Sequence, residues 1–180
     1  MKTMNYKQVL ILLLLLNSLL ISAQNNNCQV ADSFMTGDYF LTQTTAINPN
    51  IGVLSFEDQI VNINIGSSSE KRFFSAVWAE GIGIGQDPMN VSFALDCTNG
   101  NNIIVDNDLN TGVTCDPNIG TITLGPAATT GTFDVNDDGS FTLILNEFVD
   151  DGGCGVPNPV VTEFSLSKCI PKPDNISFTN

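Results

Sequence analysis

The chain has 180 residues, 19 of them acidic and six basic, with no histidine and a formal charge of −13. That balance excludes nucleic acid and anionic lipid as partners, because binding either draws on Lys and Arg contacts to phosphate. The absence of histidine removes Ser-His and Cys-His nucleophile systems. With no CxxC pair either, a zinc site is excluded.

The first segment is a leader. Lys2 and Lys7 precede the apolar run Val9 to Leu16, then Asn17-Ser18, Leu19 to Ile21, and the small pair Ser22-Ala23. Positive, apolar and small in that order read as a secretory signal over residues 1–23, too short for a span of about 20 apolar residues. Asn25, Asn26 and Asn27 before Cys28 argue against a lipid anchor on that cysteine. Cleavage after Ala23 removes two lysines and no acid, taking the formal charge from −13 to −15. Residues 24–180 then form one domain with no membrane span, secreted or held at the outer cell surface.

From there the period is two. Tyr39 to Thr44 is rich in aromatic and β-branched residues and reads as the first strand. Val61, Ile63 and Ile65 alternate with Asn62 and Asn64, and Arg72 to Ala79 reads as another strand. Val91, Phe93, Leu95 and Cys97 share a face, as do Ile122 and Leu124. Phe141, Leu143 and Leu145 share the next, and Val160, Thr162, Phe164 and Leu166 the last. Each is the pattern of a half-buried antiparallel strand. Asn48-Pro49-Asn50, Ser67-Ser68-Ser69, Asn99-Gly100-Asn101-Asn102, Asp137-Asp138-Gly139 and Asp151-Gly152-Gly153 mark turns between them. No helical stripe with caps occurs after the leader. The pattern predicts an all-β domain: an antiparallel β-sandwich of immunoglobulin-like or jelly-roll type, with a closed β-barrel as the second choice.

Cys28, Cys97, Cys115, Cys154 and Cys169 sit in an exported chain, so two disulfides and one leftover thiol are expected. Cys97 with Cys115 is the favoured pair, because the two flank a Gly/Asn/Asp-rich connection. Cys28 with Cys169 would tie the domain ends, and Cys154 with Cys169 would clip the last loop to the last strand.

The sharpest local motif is Asp134-Val135-Asn136-Asp137-Asp138-Gly139-Ser140. Asp134, Asn136, Asp138 and the Ser140 carbonyl have the spacing of the first half of a calcium loop. The second half is missing, since Leu145 stands where a bidentate Glu belongs. Glu147 lies roughly 20 Å along a straight strand, so further ligands would come from water or from Asp106 or Asp108. The same stretch is equally a hairpin turn between Phe133 and Phe141. Calcium is thus the candidate ion, and no cofactor is required.

Glu147, Asp150 and Asp151 form a second acidic group before Gly152-Gly153-Cys154-Gly155. Paired carboxylates can hydrolyse glycosides, but a solvated acidic loop accounts for them as well. Gly81 to Pro88 does not fit dinucleotide or phosphate-loop spacing. Trp78 reads as core, and as a carbohydrate platform only if exposed. The sequons at Asn90 and Asn175 specify nothing further.

Five segments carry a resemblance when taken together: Gly37 to Gln43, Gly81 to Gly85, Thr111 to Cys115, Asn136 to Phe141 and Phe148 to Gly155. The chain resembles an extracellular β-rich module of surface and secreted proteins in flavobacteria and other Bacteroidota, a module with no assigned activity. The resemblance implies a secreted or cell-surface setting and no particular substrate. The leading expectation is a non-catalytic interaction or adhesion module that meets a protein or glycan, with calcium as a candidate stiffener. The alternatives are a barrel that carries a small apolar ligand and a carboxylate-dependent polysaccharide hydrolase.

Overall fold

A computed structural model describes residue 28 and residues 30–46, 56–78, 87–98, 100–114, 116–149, 153 and 159–169. The expected leader at residues 1–23, the segment Gly81 to Gly85, Asp150, Asp151, Cys115 and Cys154 lie outside the described residues. Ten strands run in order: β1 (Gly37–Ala46), β2 (Gln59–Ile65), β3 (Lys71–Ala76), β4 (Met89–Asp96), β5 (Asn102–Val105), β6 (Leu109–Asn110), β7 (Thr123–Pro126), β8 (Gly131–Asp134), β9 (Asp137–Phe148) and β10 (Val160–Lys168). Among the described residues, no helix is long and apolar enough to cross a membrane.

All pairings between strands are antiparallel, and they close on themselves. Strands β1 to β5 follow one another, β5 pairs with β8, β8 with β9, β9 with β10, and β10 returns to β1. The closing seam runs from Tyr39 opposite Lys168 to Ala46 opposite Thr162, with a bulge between Gln43 and Thr45. The result is an eight-stranded barrel with β6 and β7 as two peripheral strands. This corrects the expected sandwich. Alternation reports that each strand buries one face, and both architectures satisfy that; only the pairing of the first strand with the last tells them apart.

Strand β9 is long enough to serve two partners along one edge. Near its start Phe141 faces Phe133 of β8, and near its end Leu145 to Phe148 face Pro126 to Thr123 of β7. Beside β9 the backbones come very close: a Cβ on Gly131 would lie 2.1 Å from the Thr142 carbonyl oxygen. Only glycine fits there.

Inward-facing side chains fill the middle of the barrel. Leu41, Phe74, Phe93, Phe141, Leu143 and Phe164 are all buried, and Phe141 meets both Tyr39 and Phe93 at ring separations of 5.4 and 5.9 Å. Ring contacts of this kind add to the stabilisation from apolar area removed from water.

The two ends of the barrel are unlike. At one end the connections β2–β3, β4–β5 and β8–β9 take residues 66–70, 97–101 and 135–136. At the other end β1–β2, β3–β4 and β9–β10 take residues 47–58, 77–88 and 149–159, and the β6–β7 excursion also leaves from there. The short-loop end is closed by the segment before β1. Met35 within it is fully buried, and its backbone turns through left-handed φ at Met35 and Gly37. The Arg72 guanidinium beneath donates to the carbonyls of Phe34, Ser69 and Lys71 at 2.8, 2.8 and 2.9 Å, and to that of Ala31 at 3.4 Å.

A disulfide joins Cys28 to Cys97, just past β4, and fastens this closing segment. It corrects the expected Cys97–Cys115 bridge. Cys97 leaves the barrel at the short-loop end, whereas the chain around Cys115 belongs to the excursion at the other end. Cys169 is free, so neither pairing proposed for it forms.

Candidate functional site: the long-loop end of the barrel

The inward face of β9 reads Phe141, Leu143, Leu145 and then Glu147. Glu147 keeps the phase of the apolar residues before it, so its carboxyl points inward at the long-loop end. Val160 of β10 stands opposite on one side and Leu124 of β7 on the other. Only 1% of the residue is exposed. Thr162 Oγ1 donates to one carboxylate oxygen at 2.6 Å, and Trp78 Nε1 to the other at 3.4 Å, the outer limit of a hydrogen bond.

Three rings adjoin this carboxyl. Phe56 packs edge to face on Trp78 and Phe164, which are tilted against each other, with centroids 4.9 to 5.3 Å apart. Trp78 and Phe164 are buried, while Phe56 is partly exposed and is therefore the ring nearest solvent. Its backbone N–H donates to the Gln43 side chain at 3.2 Å. Trp78 is thus no surface platform.

Burial pushes Glu147 up to about 7, against the lowering effect of the hydrogen bonds from Thr162 and Trp78. The unfolded chain releases this proton near its ordinary value of 4.5. Between those two values the folded state holds the proton and the unfolded state does not, so stability falls as pH rises. We expect a loss on the order of 3 kcal/mol from pH 4.5 to pH 8, at about 1.4 kcal/mol per unit. Denaturant titrations across that range should show the fall, and Glu147→Gln should flatten it. An equal slope in the variant would assign the effect to other groups.

The acidic hairpin of the sequence lies at the opposite, short-loop end of β9. Its turn is Val135-Asn136, with Asp134 opposite Asp137. Asp134 Oδ1 accepts from Asn136 N at 2.9 Å, and Asp137 Oδ1 from Gly139 N at 2.8 Å. Asp138 pairs with Lys168, while its carbonyl accepts from the Tyr39 hydroxyl at 2.5 Å. Ser140 follows on β9. Asp106 is held by Lys71 and Ser92, and Asp108 adopts a left-handed φ of 57°. Among the described residues, no three Asp, Glu or Cys side chains gather where they could hold a metal ion. A cation at the hairpin would compete with Lys168 for Asp138 and with Asn136 for Asp134.

Among the described residues, hollows lie on the outer wall. One of about 550 Å³ includes Lys71, Phe73, Asn90, Ser92 and Asp106. Another, of about 380 Å³, includes Thr132, Ser140, Thr142 and Ser165.

Sequence reasoning placed Glu147 in an acidic surface group and passed over Thr162 and Arg72 as functional residues. The available signal was phase: each is a polar residue on the apolar face of an alternating strand. In comparisons with known proteins, no family model matches the chain and no curated protein is detectably similar to it.

Proposed function

We propose that this protein is an extracytoplasmic carrier that takes a small, largely apolar ligand into the long-loop end of its barrel. The inequality of the two ends carries this reading. One end is stapled by the Cys28–Cys97 bridge and filled by Arg72 and Met35. The other carries, among the described residues, an aromatic group beside the polar pair Glu147 and Thr162. Closed eight-stranded barrels are wide enough to be filled by side chains or to hold one small ligand. Ligand sites favour barrel mouths lined by apolar walls with a few placed polar groups. The disulfide suits an oxidising compartment, in keeping with the leader.

Trp78 is the chain's only tryptophan, so its emission reports on this end alone. Titration with an apolar fluorescent dye should give saturable energy transfer from Trp78, at about one dye per chain. Dye binding that leaves Trp78 unaffected, or no binding, would overturn the carrier reading. Function would then lie on the outer wall, as an adhesion module requires.

A further inference from the structure

We propose that the ligand is an amine with an apolar body, its protonated nitrogen paired with the Glu147 carboxylate and its body against Phe56, Trp78 and Phe164. This rests on the carrier reading and names the ligand class for the same site.

A carboxylate removed from water is costly unless a positive charge accompanies it. Among the described residues, no basic side chain pairs with Glu147. Among the described residues the basic side chains are Lys71, Arg72 and Lys168. Lys71 pairs with Asp106, Lys168 pairs with Asp138, and Arg72 is spent on carbonyls at the short-loop end. Among the described residues, the two donors that reach Glu147 are a neutral hydroxyl and a neutral indole, one at the limit of bonding distance. An ionised carboxylate can accept about four hydrogen bonds, so it retains room for more donors. An alkylammonium brings up to three donors and the missing charge in one group.

The surroundings favour the same class. A chain with 19 acidic and six basic residues draws cations toward it and repels anions. A carboxylic acid ligand would set two acids side by side, which disfavours ionisation of both.

The test uses octylamine, octanol and octanoate against the folded, disulfide-bonded protein at pH 8. It follows Trp78 emission and displacement of the apolar dye. Octylamine should bind at least about tenfold tighter than octanol, with octanoate weakest. Glu147→Gln should remove the amine's advantage over octanol. If that variant fails to fold, the wild type is compared at pH 5.5 and pH 8. Octylamine, itself charged throughout that range, should bind about fivefold or more tighter at pH 8, and octanol equally at both. Among the described residues, the groups facing Glu147 from β7, β10 and the β3 end are Leu124, Val160, Thr162 and Trp78, none of which titrates there. An amine advantage below tenfold, or one that survives in Glu147→Gln, would overturn the amine assignment while dye and octanol binding still upheld the carrier. Failure of the dye and all three ligands to bind would instead bring down the carrier reading and this inference together.

Discussion

Arg72→Met is expected to lower folding stability by about 3–5 kcal/mol, the largest effect of any single substitution considered for this protein. The guanidinium is fully buried and donates to four carbonyls, three at 2.9 Å or less. Two of those carbonyls, Ala31 and Phe34, belong to the segment that closes the barrel. Methionine fills much of the volume but offers no donor, so buried acceptors lose their partner. Lysine should recover only part of the loss, because a single ammonium cannot reach both the closing segment and the β2–β3 turn. Urea titrations of the three proteins decide the matter. A loss below about 1 kcal/mol in Arg72→Met would mean that the closing segment holds itself in place without the guanidinium.

Reducing the Cys28–Cys97 bridge should cost about 4 kcal/mol, because the bridge closes a loop spanning 69 positions in sequence and so restricts the unfolded chain strongly. For a domain of this size that corresponds to a melting point lower by roughly 10 °C. The comparison should use Cys28→Ser with Cys97→Ser, leaving Cys169 as it is. An unchanged melting point would show that the closing segment is bound tightly enough without the bridge. Since Arg72 and the bridge hold the same segment, the combined loss should fall short of the sum.

Much of the strand pattern was legible. Val61 and Ile63, Val91 to Leu95, Phe141 to Leu145 and Val160 to Leu166 are buried on the faces their alternation assigns. Ile65 is the exception, left 41% exposed where β2 runs out into its turn. The closure of the barrel was not legible, because it depends on Tyr39 meeting Lys168, and no local pattern encodes a pairing at that separation. The cysteine pairing was not legible for the same reason: closeness in sequence favoured Cys115, whereas the fold brings Cys97 to Cys28. Glu147 was visible as a residue but was grouped with its chain neighbours Asp150 and Asp151. Its phase with Leu143 and Leu145 would have placed it inside.

The seam between β1 and β10 also bears on how the molecule is made. The first seven barrel strands can pair with neighbours as the chain emerges, but β1 and β9 each keep one bare edge until β10 arrives. Exposed edges invite pairing with other chains, and contacts between distant segments form slowly. The interval before β10 docks is therefore when this chain is most open to aggregation. A fragment ending before Val160 would carry that exposure permanently.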